Sequence, residues 1–330
     1  MQAKLFGRVA VALFVSSLAA SACAEPAKET TKTEEVQPLS GQVATDTALA
    51  QPVTESPQAA NVNPGTAQSA KVGATAQPAK PTPKTDEYTP TSGQEGKDVV
   101  WVPTPQPLVD KMLEMAKLTP NDVLFDLGSG DGRTVITAAK RGATSTGVEY
   151  NPKMVALSRN LAQKEGVGGK ARFIQGDLFA TDFSKATVLT LFLMTDLNLK
   201  LRPTILDMRP GTRVVSNTFT MGEWQADDSQ SVTDKEGCAG YCTAHLWIVP
   251  AKVAGRWKLP AGELTLMQSF QTVSGTLGGN PISGATLRGD QITFNAGNAQ
   301  YSGRVSGGTL RGTVKSGSNS AQFTATRVGS

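Results

Sequence analysis

Histidine is all but missing from this chain: His245 is the only one in 330 residues, and cysteine occurs three times, at Cys23, Cys238 and Cys242. A tetrahedral zinc shell needs four nitrogen or sulfur ligands close together, and the pair in GCAGYC plus one imidazole falls short of it. A disulfide is the other use of so close a pair, open to it in an oxidising compartment. His245 lies in the apolar stretch TAHLWIVP, where a packed or edge-strand imidazole is a stronger reading than a catalytic one. Long apolar runs are also lacking, since the stretch from Val9 to Ala20 is too short for a spanning helix. Aromatic residues make up only 6% of the chain. None is interleaved with the basic residues in a way that would stack bases, which argues against a nucleic-acid partner.

What is present divides into unlike regions. Lys4 and Arg8 precede the apolar run and small residues follow it, the layout of a secretory or lipoprotein leader over residues 1–24. Cleavage after Ala22 or Ala24 and lipidation at Cys23 both fit, although Ala20 stands where lipoprotein signals prefer Leu, and an uncleaved membrane anchor is a third reading. The expected location is the periplasm or cell envelope. Residues 25–97 are dominated by Ala, Pro, Thr, Gln, Ser, Lys and Glu, with Tyr88 as their only aromatic. Such a segment cannot bury enough apolar surface to offset chain entropy and reads as a disordered tether.

From residue 98 to 250 strands and helices alternate. TPQPLVDKMLEMAKLTP places Leu108, Met112, Met115 and Leu118 at helical spacing. DVLFDLG, STGVEY, ARFIQGD, TVLTLFL and TRVVSNTF read as strands. RTVITAAKRG, PKMVALSRNLAQKEG and LNLKLRPTILDM read as helices, the last interrupted or bent at Pro203. This alternation implies an α/β, doubly wound, Rossmann-like sheet, with AHLWIVP as a late antiparallel addition. Residues 251–330 change character. Short alternating runs punctuated by Gly and Thr predict a small all-β domain, with a near-repeat, SGATLRG from Ser283 and SGGTLRG from Ser306, expected to mark two related hairpins. Eight Lys and Arg against Glu263 and Asp290 give this module a formal +6. That charge suits either an anionic membrane or envelope surface or a soluble module with a basic face.

The chemistry concentrates in VLFDLGSGDGR. Gly128, Gly130 and Gly132 stand at alternate positions, unlike the dinucleotide fingerprint, which separates its second and third glycines by two residues. Asp126 and Asp131 flank them, and a diphosphate at contact distance from such carboxylates would be repelled by a few kcal/mol at an effective dielectric of about 20. A sulfonium ligand carrying an ammonium group would be attracted. Glu149 closes the second strand, where a carboxylate can take both ribose hydroxyls, and Asp177 follows the third, within reach of an adenine amino group.

DLGSGDGR, GVEYNP and FIQGDLF resemble the successive motifs of class I S-adenosylmethionine-dependent methyltransferases. VPTP, together with the segment from VLTLFLMTDLN to TMGEW, is similar to bacterial relatives of the ATP synthase c-subunit lysine methyltransferases. The resemblance implies S-adenosyl-L-methionine as cofactor, held by Asp126, Gly128, Ser129, Gly130, Asp131, Gly132, Glu149, Asn151, Asp177 and Leu178. It implies an amine, such as a protein lysine, as methyl acceptor. The acceptor would approach the end of TVLTLFL, where Met194, Thr195 and Asp196 replace the Asn-Pro-Pro-aromatic signature of many nitrogen methyltransferases. Trp224 and Thr104 are candidates to line its pocket; no catalytic residue and no metal ligand is assigned. The alternative function is an exported binding or envelope-structural protein with a vestigial methyltransferase fold.

Overall fold

The computed structural model describes residues 88–329. The expected leader and most of the expected tether lie outside the described residues. The chain enters the fold through helix α1 (Gln106–Met115), with β1 (Val123–Leu127), α2 (Arg133–Lys140), β2 (Thr144–Glu149), α3 (Pro152–Lys164) and β3 (Ala171–Gln175) after it. Then come β4 (Val188–Leu191), α4 (Thr195–Leu206), β5 (Arg213–Asn217), β6 (Asp228–Ser231) and β7 (Thr243–Ile248). The seven strands form one sheet in the order β3-β2-β1-β4-β5-β7-β6. Neighbours from β3 to β5 are parallel, and β7 joins β5 antiparallel, as AHLWIVP predicts.

Local sequence explains these elements. Pro152 occupies the first turn of α3, where its missing N–H removes no helical bond, and the Asn151 side chain accepts from the Lys153 amide at 2.9 Å. β4, VLTL, is buried at all four positions, as a strand covered on both faces must be. Leu124, Val188 and Val215 pack beneath α1, while Leu189, Leu191 and Val214 pack against Leu201 and Ile205 of α4 on the opposite face. The strand order reverses between β1 and β4, which opens a crevice at their carboxyl ends.

The structure differs from the sequence reading at three points in this part of the chain. Helix α4 is not interrupted at Pro203, which lies in its last turn with only Thr204, Ile205 and Leu206 beyond it, so little helix remains to be lost. β6 has no counterpart in the sequence reading, because DSQS is exposed throughout and holds its place by backbone pairing to β7. Residues 88–97, placed in the tether, form a loop: the Gly93 amide donates to the Trp101 carbonyl and the Trp101 amide to the Gln94 carbonyl, both at 2.8 Å.

Beyond Pro250 eight strands close an antiparallel barrel: β8 (Gly255–Leu259), β9 (Gly262–Ser269), β10 (Thr272–Leu277), β11 (Asn280–Arg288), β12 (Gln291–Ala296), β13 (Ala299–Ser306), β14 (Thr309–Ser316) and β15 (Asn319–Val328). Its interior is filled by apolar side chains, among them Trp257 and the stacked pair Phe294 and Tyr301, whose centroids are 4.8 Å apart. The near-repeat does not mark equivalent hairpins. Gly284 and Gly307 are both left-handed, at φ 57° and 54°. Gly284 serves an irregularity within β11, whereas Gly307 turns β13 into β14. Leu287 and Leu310 nevertheless both point into the barrel core.

Candidate functional site

The loop from β1 to α2 is built on backbone that only glycine adopts freely. Gly128, Gly130 and Gly132 have φ of 81°, 54° and 82°. A Cβ on Gly132 would fall 2.7 Å from the Phe173 ring and 2.9 Å from Ser158 Cβ, so the last glycine also lets α2 approach the sheet and α3. A Cβ on Gly130 would fall 2.4 Å from Trp101 Nε1. The Gly128 and Ser129 amides both donate to the Val148 carbonyl, at 2.9 and 3.0 Å. Ser129 Oγ is buried without a hydrogen-bond partner in the protein.

Glu149 is clamped at the end of β2: Oε2 accepts from the Gly130 amide at 2.9 Å and Oε1 from the Asn151 amide at 2.8 Å. Each oxygen keeps a lone pair for a ligand hydroxyl. Asp126 lies opposite Gly147 of β2 and Thr190 of β4, and it accepts from Thr190 Oγ1 at 2.7 Å. Burial pushes its carboxyl up to about 7, the Thr190 bond opposes the rise, and the nearby charges of Asp131 and Glu149 add to it. A ligand cation would favour its ionised form.

The other predicted residues are more engaged with protein. Asp131 meets the Arg133 guanidinium edge-on, with Nε to Oδ1 at 3.0 Å and Nη2 to Oδ2 at 2.6 Å, and Arg133 Nη1 donates to the Thr104 carbonyl at 3.0 Å. The acid thereby fastens the VPTP segment to the glycine loop. Asp177 Oδ2 pairs with Lys97 Nζ at 2.6 Å and Oδ1 accepts from the Phe179 amide at 2.8 Å. The Lys97 hydrogen bond, first among the causes, holds the Asp177 carboxyl below its ordinary range. Lys97 also sits 5.2 Å from the centre of the Tyr150 ring. Asn151 spends its side-chain oxygen on the α3 cap, and Leu178 contributes an apolar wall.

All ten predicted residues except Gly132 line one cleft at the carboxyl ends of the strands, and Gly132 stands beside it at the start of α2. Residues 94–104 cross this cleft as a strap. Six carboxylates and two basic side chains line it; Lys97 and Arg133 are each engaged with an acid, so Asp126 and Glu149 face the interior without a cationic partner. That field disfavours a diphosphate and fits a nucleoside with a positive sulfur and an ammonium. The cradle of left-handed glycines and the unpartnered Ser129 hydroxyl fit the same ligand.

At the far end Thr104 lines the cleft as expected, and Trp224 does not. Trp224 is fully buried, 6.2 Å from the Trp247 ring and 6.0 Å from Phe270 of the β9–β10 turn, because the chain folds MGEW under the barrel. Met194 lines the cleft, whereas Thr195 and Asp196 form the first turn of α4. Cys238 and Cys242 form a disulfide. His245 is a packed imidazole on β7, an interior strand between β5 and β6 and not an edge, with Nδ1 2.8 Å from Ser229 Oγ and Nε2 3.2 Å from the Thr218 carbonyl. Lys97, Trp101, Phe192, Phe219 and Tyr241 also line the cleft and went unnoticed in the sequence. A Trp directly before VPTP was the one available signal for the strap.

The family model of the ANTKMT methyltransferase domain matches residues 126–228. A protein-lysine N-methyltransferase of Saccharolobus islandicus is 42% identical over 139 residues, covering 41% of this chain and 86% of its own length. The human ATP synthase c-subunit lysine N-methyltransferase is 34% identical over 128 residues, covering 38% of this chain and 54% of its own. The chain thus spans about half the length of this human relative and most of the archaeal one. A solved structure described as an RNA methyltransferase from Salinibacter ruber in complex with S-adenosyl-L-homocysteine is 45% identical, covering 46% of this chain and 96% of its own, with a TM-score of 0.43. The two lysine methyltransferases come from an archaeon and an animal, so the kinship is with the family as a whole and not specifically with its bacterial members.

Proposed function

The chain belongs to the class I S-adenosylmethionine-dependent methyltransferases related to the ANTKMT and ATP synthase c-subunit lysine methyltransferases, and on that premise we propose that it methylates a lysine side chain of a protein. The observation that carries the reading is the cleft itself, where Asp126 and Glu149 face a glycine cradle without basic partners. S-adenosylmethionine, when bound, supplies an electrophilic methyl carbon on a sulfonium. Glu149 is held by two backbone amides in a position to take ribose hydroxyls. Asp126 supplies negative charge where a cationic ligand is to be held. The strap, fastened by Lys97 to Asp177 and by Arg133 to Thr104, walls one side of the cleft.

In-line transfer then needs the acceptor amine about 3 Å from the methyl carbon and collinear with the breaking bond. The amine must first lose its proton. Thr104, Met194 and aromatic rings line the cleft, and an amine desolvated among them has its pKa lowered and gives up its proton to solvent before transfer.

The test is incubation of the full chain with S-adenosylmethionine labelled in its methyl group, against a panel of lysine-bearing polypeptides and an RNA panel. Label on lysine is expected. Label on RNA alone would overturn the acceptor assignment, and no labelling together with no binding of S-adenosylhomocysteine would favour the vestigial reading.

The enzyme is further proposed to work in the periplasm or cell envelope, whether exported or anchored as a lipoprotein. The leader-like residues 1–24 and the paired Cys238 and Cys242 support this. Fractionation with mass determination of the mature amino terminus tests it, and an intact amino terminus in the soluble cytoplasmic fraction would contradict it.

A further inference from the structure

We propose that Phe192, Phe219 and Tyr241 form an aromatic box that receives the alkylammonium side chain of the acceptor, and that the Cys238–Cys242 loop sets its outer wall. The inference rests on the methyltransferase reading and goes beyond it by assigning the acceptor subsite. The three rings come from three neighbouring strand ends: Phe192 follows β4, Phe219 follows β5 and Tyr241 precedes β7. Their centroids are 5.4 Å apart for Phe192 and Tyr241 and 6.1 Å for each other pair. All three line the cleft that holds Asp126 and Glu149.

The backbone around the box is held in conformations that non-glycine residues avoid. Among the described residues four non-glycine positions have positive φ; two of them are Tyr241 itself, at 53°, and Thr218, at 60°, next to Phe219. Such strain persists where surrounding contacts over-determine it and gathers at functional sites. The contacts are present. The Thr218 amide donates to the Thr243 carbonyl at 2.7 Å, and the His245 ring lies 3.2 Å from the Thr218 carbonyl. Asn198 Nδ2 donates to the carbonyls of Phe219 and Thr220 at 3.2 and 3.3 Å. On the other side Cys238 is buried beside α1, and its disulfide pins the short loop that carries Tyr241. Tyr241 remains 48% exposed, so its ring stands at the mouth of the cleft where an incoming side chain would pass.

An ammonium within about 6 Å of a ring centroid is attracted to the negative ring face, most strongly where water is excluded. A carboxylate or phosphate would be repelled, and a neutral alkyl chain would gain only burial. The box therefore selects a primary or partly methylated amine.

The test titrates the full chain, saturated with S-adenosylhomocysteine, with Nα-acetyl-lysine methylamide and with its uncharged norleucine counterpart, followed by ring-proton shifts. The lysine probe is expected to bind about tenfold tighter than the norleucine probe. Tyr241→Ala should weaken the lysine probe by about the same factor, Tyr241→Phe should retain it, and the affinity for S-adenosylhomocysteine should stay constant across all three proteins. Reduction of the disulfide should weaken the lysine probe selectively. Equal binding of the two probes, or a Tyr241→Ala protein that binds lysine normally, overturns the box and leaves the methyltransferase reading standing. A wild-type chain that does not bind S-adenosylhomocysteine overturns both.

Discussion

Burial holds the Asp126 carboxyl near 7 in the folded protein, against an ordinary value of 3.8. For a group raised in this way, the stability it contributes is complete below the unfolded value and is lost as pH rises through about 7. Asp126→Asn is therefore expected to raise the melting temperature at pH 8 and flatten the fall in stability between pH 5 and 8, an effect on the order of 2–4 kcal/mol. Affinity for S-adenosylhomocysteine should move the opposite way. Its ammonium favours the ionised acid, so wild-type binding should weaken as pH drops below about 7, and Asp126→Asn should bind at least about tenfold more weakly at pH 8. A variant that is both less stable and equally tight would contradict this account. The glycines separate structure from function in the same loop. Gly132→Ala forces a Cβ against Phe173 and Ser158 and should destabilise the fold by more than the roughly 1–2 kcal/mol of left-handed strain alone. Gly130→Ala meets the Trp101 side chain, so beyond that strain its loss should appear in ligand affinity, compared by calorimetry and thermal melts.

The strap of residues 94–104 and the strand ends it covers act together as elements. Trp101 packs on Gly130, Lys97 on Asp177 and Tyr150, and Arg133 reaches Thr104. Trp101→Ala is expected to speed release of S-adenosylhomocysteine several-fold in stopped-flow exchange with little change in the melting temperature; unchanged release would show that the strap does not retain ligand. Much of this level was legible in the sequence, because it is written locally. Alternate glycines and acids at successive strand ends fix the loop from Asp126 to Gly132, Glu149 and Asp177. The strap was only half legible, since residues 94–98 look like the polar tether before them, while Val99 to Val102 are apolar but gain their place over the cleft only by contact with Gly130 and Asp177. The aromatic box was hidden for another reason. Phe192, Phe219 and Tyr241 are far apart in sequence and meet only because β4, β5 and β7 are neighbours in the sheet. β6 shows the same limit, as an all-polar strand announces itself by no periodicity.

At the scale of the whole molecule the barrel is seated on the methyltransferase sheet. Phe270 stacks on buried Trp224 at 6.0 Å, Gln271 Nε2 donates to the Gln225 carbonyl at 2.8 Å, and the Ala251 amide, on the connection from β7, donates to the Gly289 carbonyl at 2.8 Å. Phe270→Ala should uncover Trp224 and cost roughly 2–4 kcal/mol, seen as a lower melting temperature and a more polar tryptophan emission. An unchanged melt would mean that the barrel is held elsewhere. The basic residues of the barrel are partly neutralised where they lie, Arg256 by Glu263 and Arg304 by Asp290, both already in the formal +6, and Lys252 by Asp207, which lies outside the module and lowers its field further. The charge of the cleft decides its ligand. Calorimetric titration of the purified chain with S-adenosylmethionine and, separately, with NAD tests this most directly: saturable heat with the sulfonium ligand and none with the dinucleotide is the expected result, and heat with NAD but not with S-adenosylmethionine would contradict it.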